Sequence, residues 1–163
     1  MATGDTPNST REEKTRQLGP GNAEIRNRRM AYAIFRATLG LNIFLHGFVR
    51  ILTGPSVFEA QTEKLFSSTF LPAGQVHFFL SILPYIEACV GFLILVGLFT
   101  FWALVAGALL MLVLIFGTAA RQDWTTVGIQ TAYGLFYYFL ISRNQDNWLA
   151  IDCLFANHRV SIE

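Results

Sequence analysis

The stretch that decides the fold is residues 31–52, "AYAIFRATLGLNIFLHGFVRIL". It is almost entirely apolar and is about as long as the ~20 helical residues that a bilayer core takes, so it predicts a membrane-spanning helix. Yet Arg36, His46 and Arg50 lie inside it. A charged side chain at the centre of a bilayer costs about 2.5–3.5 kcal/mol on insertion scales. These residues are therefore expected to face other helices, a cavity or a membrane interface.

The polar residues of this span share one side of the helix. At about 100° per residue, Arg36 and Arg50 lie about 40° apart in projection, and His46 lies about 40° further round. Three small residues fall in the same wedge and would let a neighbouring helix approach closely: Gly40, Gly47 and Gly54. The alternative for Arg36 and Arg50 is that each side chain extends to the nearer interface, and the pattern leaves that alternative open.

Outside the first span, the sequence predicts more helices. The chain is 53% hydrophobic and 14% charged, whereas a soluble domain is about a quarter charged. Further apolar runs lie at about residues 76–98, 100–120 and 127–142. We therefore expect an all-α integral membrane protein, a four-helix bundle with short turns after the second and third spans. The long connection, residues 53–75, has an S-x-x-E capping box at Ser56 and Glu59, which predicts a short amphipathic helix between spans one and two.

Basic residues set the expected orientation. The polar stretch 1–29 reads as a tail, and three arginines stand directly before the first span: Arg26, Arg28 and Arg29. This arrangement places the tail in the cytoplasm. Four spans return the C-terminal segment, residues 144–163, to the same side, and Arg143 and Arg159 agree with that side. We expect an N-in/C-in transmembrane domain over residues 30–143, between a cytoplasmic tail and an interfacial C-terminal segment.

The second span carries Glu87, the only acid within the four predicted spans, in "SILPYIEACVGFLILVG". Pro84 lies three residues earlier and is expected to kink the helix. Glu87 is the natural partner for a polar residue of the first span. Depth in the membrane favours Arg50 or His46, Arg36 is a third candidate, and the pattern leaves the partner open. A structural role for Glu87, as an ion pair that fixes helix register, is the alternative to a functional one.

A polar face on the fourth span completes a candidate pocket. Gln130, Tyr133 and Tyr137 have helical spacing and share one side of the helix. Together with the earlier residues they form one candidate ligand-binding set: His46, Arg50, Glu87, Gln130, Tyr133 and Tyr137. An intramembrane polar cluster is a functional-site hypothesis, although the tyrosines also suit packing and His46 an interhelical hydrogen bond. No second histidine stands at ligand spacing, so no metal site is predicted.

Composition argues against several classes of function. A net charge of +1 gives no electrostatic basis for binding nucleic acid. The cysteines, Cys89 and Cys153, form no CxxC motif, so neither a disulfide framework nor thiol–disulfide catalysis is expected. The sequence shows no ligand pattern for haem or an iron–sulfur cluster and no dinucleotide fingerprint. We therefore expect that the chain is not an enzyme by itself, and that any redox chemistry depends on a partner.

Three stretches resemble the DoxX/DoxD-like family of small four-helix membrane proteins: "FLHGFVRILTG", "LPYIEACVGFLILVGLFT" and "WLAIDCLF". The resemblance covers about residues 31–155. Members of that family are mostly bacterial and archaeal, so the resemblance implies a multi-pass protein of a prokaryotic inner (plasma) membrane. DoxD-like members look like membrane subunits of thiosulfate:quinone oxidoreductases. By that resemblance the matching positions are His46, Arg50 and Glu87, and the resemblance suggests a quinone or a sulfur oxyanion as the ligand. We expect no covalently bound cofactor.

Two functions follow from these observations. The first is a membrane subunit of an oxidoreductase, in which His46 or Arg50 donates to a quinone carbonyl and Glu87 relays a proton. The second is a non-catalytic accessory subunit that docks onto a larger membrane complex, which the polar tail and the interfacial C-terminal segment favour. Both imply the lipid bilayer and other membrane protein subunits as partners. A transporter is a weaker third function, because the sequence shows no broken-helix repeat.

Overall fold

The chain folds into helices joined by short turns, as a computed structural model that describes residues 21–153 shows. Five α-helices and two short 3₁₀ turns follow one another: α1 Asn22–Thr53, α2 Pro55–Glu63, the turn Lys64–Phe66, α3 Ala73–Val96, α4 Thr100–Ala120, α5 Trp124–Ser142 and the turn Asn144–Asp146. The predicted all-α class is confirmed. Residues 54–72, between α1 and α3, are called the connector below.

Three of the helices, α1, α3 and α4, are long and apolar enough to cross a membrane. Helix α5 has 19 residues but is not among them. Its sequence, "WTTVGIQTAYGLFYYFLIS", carries threonines, tyrosines and a glutamine among the apolar residues, which lowers its mean hydropathy. The crossing of α5 therefore stays a prediction.

Helix α1 extends beyond the predicted first span. It begins at Asn22, so residues 22–29, assigned above to the polar tail, are helical. Contacts with the other end of the chain hold this extension, because Arg28 forms an ion pair with Asp146 at 2.9 Å. The Tyr32 hydroxyl also donates to Asn144 Oδ1 at 3.3 Å. Residues that are distant in sequence thus favour helix where local polarity predicted a tail.

The predicted capping box of the connector is wrong. Helix α2 begins at Pro55 after Gly54, and no side chain in the described part of the chain caps its first turn. Pro55 suits the first helical position because it has no N–H to satisfy, and Gly54 takes a positive φ of 99° that favours glycine. Ser56 therefore falls inside the helix, two residues after the N-cap position at Gly54.

The helices α1 and α3 pack antiparallel with their backbones in close contact. A Cβ at Gly40, Gly47 or Gly91 would collide with backbone atoms of the facing helix. The predicted small-residue face of the first span is thus the α1–α3 interface for Gly40 and Gly47. Gly54 instead ends the helix.

The C-terminal segment folds back over the turn between α3 and α4. Asp152 accepts hydrogen bonds from the backbone N–H groups of Phe99 and Thr100, at 2.7 and 2.8 Å, and so caps the start of α4. The backbone N–H of Asp152 donates in return to the Gly97 carbonyl at 3.0 Å. Residues 154–163, including Arg159, lie outside the described part of the chain.

Candidate functional site

One cavity of about 610 Å³ lies in the half of the molecule nearer the connector. Its walls come from α1, α3, α4 and α5, and the connector covers one end. All six residues of the candidate set line it: His46, Arg50, Glu87, Gln130, Tyr133 and Tyr137. Most of the remaining lining is aliphatic or aromatic. The volume falls within the range of small-molecule pockets, about 300–1,000 Å³.

An ion pair between Arg50 and Glu87 forms the polar centre of the cavity. The Glu87 side chain is only 7% exposed, so its charge depends on the arginine for compensation. The Arg50 guanidinium also lies over the ring of Phe58 from the connector, 4.2 Å from the ring centroid. Of the partners that the sequence left open for Glu87, the structure places Arg50 in contact.

Arg36 has a different environment. It is buried, and it donates to the carbonyls of Ile94 at 2.7 Å, Leu95 at 3.3 Å and Leu149 at 2.5 Å. Two of these carbonyls belong to the last turn of α3, where backbone acceptors lack intrahelical partners and the helix dipole is negative. Arg36 is therefore not the partner of Glu87, and backbone carbonyls inside the protein hold its guanidinium.

The cavity wall formed by α1 and α5 contains three of the predicted residues. The Tyr133 hydroxyl donates to Asn42 Oδ1 at 3.1 Å, which links the two helices. His46 lies one turn beyond Asn42 on α1, lines the cavity and is exposed. Gln130 Oε1 is buried and has no hydrogen-bond partner within residues 21–153. A hydrogen-bond donor on a bound molecule would satisfy that oxygen.

Tyr137 is part of the packed core as well as of the cavity wall. It is 1% exposed, and its ring lies so close to Gly107 of α4 that a Cβ there would collide with it. Tyr137 therefore packs between helices and also lines the pocket, so the two alternatives for this tyrosine do not exclude each other.

Several residues of the cavity were not predicted from the sequence. Arg121 forms an ion pair with Asp123 at 3.2 Å, and its guanidinium lies 5.3 Å from the ring centroid of Phe66. Phe58 and Phe66 belong to the apolar side of the connector, which the sequence pattern predicts. Their contacts with Arg50 and Arg121 could not be predicted from that pattern. Asn42 precedes His46 by one helical turn, and this spacing was sufficient to find it.

The connector is also tied to α3. His77 Nδ1 lies 2.6 Å from Glu59 Oε1, which is within ion-pair distance. The two atoms do not form a hydrogen bond of acceptable geometry. Glu63 is further away, at 3.8 Å from the same nitrogen. The connector therefore contacts α1 through Phe58, α3 through Glu59 and the C-terminal end of α4 through Phe66.

The side chains of the cavity can hold an apolar body and make hydrogen bonds at a few fixed points. One guanidinium nitrogen of Arg50 binds Glu87, and the remaining N–H donors of a guanidinium can serve a ligand acceptor. Within the described ranges no three His, Cys, Asp or Glu side chains cluster as metal ligands. Cys89 and Cys153 are free thiols.

Comparison of the chain with protein-family models, with curated proteins and with solved structures finds no match. The DoxX/DoxD-like resemblance therefore stays a prediction that depends on the quoted motifs alone.

Proposed function

We propose that the chain is a DoxX/DoxD-like membrane subunit that binds a small apolar ligand beside the Arg50–Glu87 pair and serves an oxidoreductase. The single observation that carries the proposal is the cavity itself. Six polar residues from α1, α3 and α5, far apart in sequence, line one space of about 610 Å³ with mostly apolar walls. A buried ion pair contributes little net stability compared with well-packed apolar residues, so its presence beside a cavity favours a ligand role.

A quinone fits the residues present. The carbonyls of its headgroup would accept hydrogen bonds from Arg50 or His46, and the ring and tail would lie against apolar side chains such as Leu83 and Leu114. A bound quinone supplies two-electron, two-proton redox chemistry. In this proposal Glu87 holds or releases a proton beside the headgroup, and the electron donor is a partner protein. A sulfur oxyanion, the other ligand in the family resemblance, has less support because Glu87 already neutralises Arg50.

The proposal includes the placement in the membrane. All four long helices cross as one bundle, with the N-terminus and the C-terminal segment on the cytoplasmic side of a prokaryotic plasma membrane. Arg26, Arg29 and Arg143 would then lie at the cytoplasmic interface, in agreement with the positive-inside rule. The connector, with Lys64, would lie on the outer side.

The alternative is a non-catalytic accessory subunit of a larger membrane complex. The polar stretch before α1 supports it, since such a stretch can bind a partner. The C-terminal segment supports it less than the sequence implied. Asp146, Leu149 and Asp152 all bind the chain's own helices, so residues 144–153 are engaged within the molecule.

The experiment is purification of the full chain from its native membrane in mild detergent, with identification of co-purifying proteins and extraction of bound quinone. A redox subunit is expected to retain quinone, and Glu87→Gln and His46→Ala to lose it without loss of co-purifying proteins. Leu112→Ala, on the exposed face of α4 away from the cavity, is the matched control. In an accessory subunit neither cavity variant has an effect, and deletion of residues 1–20 releases the partner. A lone chain without quinone would contradict both functions.

A further inference from the structure

The cavity reaches the contact between α1 and α5, called the α1–α5 seam below. Towards the termini the seam is closed, because the rings of Phe35 and Phe136 meet edge to face with centroids 5.3 Å apart. The Tyr133–Asn42 hydrogen bond is the next contact in the direction of the connector. One turn further along each helix, His46 and Ile129 both line the cavity. The Tyr133–Asn42 bond thus lies between the packed part of the seam and the cavity.

The wall of the cavity is thin at this seam. Asn42, His46 and Ile129 each line the cavity and are also exposed at the surface, Ile129 by 58%. The surrounding surface is apolar, since Leu41 and Leu45 of α1 are exposed as well. A surface of this kind faces lipid when α1 crosses a membrane.

Exposed residues also line the cavity near the connector, but aromatic rings cover that side. Phe66 lies beside Gly117, where an added Cβ would be in ordinary van der Waals contact with the ring, and the Arg121 guanidinium lies over the same ring. Phe70 meets Phe116 edge to face, with ring centroids 6.3 Å apart. At the α1–α5 seam, by contrast, the Tyr133–Asn42 hydrogen bond joins two side chains that are themselves partly exposed.

The charges of the cavity are already compensated. Among the described residues its charged lining consists of Arg50, Glu87 and Arg121. Arg50 pairs with Glu87, and Arg121 pairs with Asp123. A charged occupant would lose its hydration without meeting a free counter-charge, which is costly in a mostly apolar space. An uncharged occupant avoids that cost.

We propose that the cavity is filled from within the bilayer, through the α1–α5 seam with the Tyr133–Asn42 hydrogen bond as its latch, by an uncharged apolar molecule dissolved in the membrane. The inference rests on the proposed function, because it takes the cavity as a binding site. Beyond that function, it specifies that the ligand enters through the α1–α5 seam, that the Tyr133–Asn42 hydrogen bond controls entry, and that the ligand is uncharged.

The test uses the full chain in phosphatidylcholine vesicles and two photoactivatable probes of equal chain length, a diazirine-bearing decanol and a diazirine-bearing decyl sulfonate. Covalent labelling of cavity residues is followed over time by mass spectrometry. Ile129→Trp, which fills the seam, is expected to slow labelling by the decanol at least about tenfold. Leu112→Trp adds the same ring to a lipid-facing site away from the cavity and is the matched control. The sulfonate is expected to label the cavity less than the decanol at equal membrane concentration.

Tyr133→Phe gives an independent result if the tryptophan variant fails to fold. It keeps the ring but removes the latch, so labelling by the decanol is expected to become faster. Unchanged rates in both Ile129→Trp and Tyr133→Phe would overturn the route, and stronger labelling by the sulfonate would overturn the uncharged ligand. Absence of label from the wild-type cavity with both probes would overturn the proposed binding function itself, and this inference with it.

Discussion

At the scale of single residues, the Arg50–Glu87 pair makes each partner dependent on the other. Glu87 is nearly inaccessible, and the Arg50 side chain is 27% exposed. Removal of one partner leaves an uncompensated charge in a poorly solvated place. Arg50→Ala and Glu87→Ala are therefore each expected to destabilise the protein by about 3 kcal/mol. The measurement is unfolding in mixed micelles as a function of denaturing detergent.

The double variant separates the interaction from the loss of packing. Arg50→Ala with Glu87→Ala is expected to cost clearly less than the sum of the single changes, because no charge is left unpaired. Arg121→Ala is the comparison, because it leaves behind Asp123, whose side chain is 39% exposed and can be solvated, and a solvated ion pair contributes about 1 kcal/mol or less. Strict additivity of Arg50→Ala and Glu87→Ala would show that the two side chains do not interact.

Asp123 gives a pH-dependent prediction outside the predicted spans. Hydrogen bonds from the hydroxyl and backbone N–H of Thr126, and the nearby charge of Arg121, lower the pKa of Asp123 below its ordinary value. A lowered folded-state pKa means that the carboxylate stabilises the protein above the unfolded pKa and loses this effect as the pH falls through the folded pKa.

The variant Asp123→Asn tests that sign, because asparagine can still cap α5 but carries no charge. The wild type is expected to have the higher unfolding temperature at about pH 7, and the difference is expected to shrink below about pH 4, near the ordinary pKa of aspartate. Thermal unfolding followed by circular dichroism measures it. A difference that is constant with pH would contradict a charge effect.

At the scale of the helices, the α1–α3 interface depends on glycine. Gly91 faces the backbone of Phe44, and Gly47 faces that of Ala88, with no space for a Cβ at either position. Gly91→Ala and Gly47→Ala must move the helices apart, and each is expected to cost about 1–3 kcal/mol or more. The same detergent unfolding assay applies.

Two glycines of α5 provide a matched control. Among residues 21–153, nothing lies within 4 Å of a Cβ at Gly128 or Gly134. Gly128→Ala is therefore expected to be neutral or to stabilise by up to about 1 kcal/mol, through the higher helix propensity of alanine. If Gly91→Ala and Gly128→Ala destabilise the protein equally, then Gly91 is not needed for the close approach of α1 and α3.

The sequence predicted the helices well where hydrophobic runs define them. The third predicted span and α4 have the same bounds, and the run at 76–98 corresponds to Ala73–Val96. The errors arise where distant residues decide the structure. Residues 22–29 are helical, and the ion pair between Arg28 and Asp146 holds them against a segment that is distant in sequence. The place of Arg36 depends on Leu149, which approaches only because the C-terminal segment folds back, and no local pattern encodes that return.

For the molecule as a whole, the candidate cavity followed from helical faces. Residues that share a side of α1 or α5 were grouped by spacing alone, and the structure places all six around one cavity. Their role in binding stays a prediction. The spacing of residues along one helix could not identify the partner of Glu87, because the partner depends on how far α1 and α3 are shifted along each other. The contacts between arginines and connector rings also depend on tertiary structure.

The positions of the tryptophans indicate how many helices cross the membrane. Trp124 begins α5 at the connector end, whereas Trp102 near the start of α4 and Trp148 after α5 lie at the opposite end. All three are more than half exposed. Tryptophan favours the two interfaces of a bilayer. The 19 residues of α5 extend about 28 Å, close to the ~30 Å of a bilayer core.

We therefore expect that α5 crosses the membrane despite its lower apolarity, since its polar residues Gln130 and Tyr133 face the cavity and not the lipid. Single cysteines in a chain with Cys89→Ser and Cys153→Ser measure this through labelling by a membrane-impermeant maleimide. Ser9→Cys and Ser161→Cys are expected to react from the cytoplasmic side, and Ser68→Cys in the connector only from the outside. With three crossings, Ser161→Cys would react from the same side as Ser68→Cys. Because the α1–α5 seam needs both helices at the same depth in the membrane, that result would also remove the proposed route into the cavity.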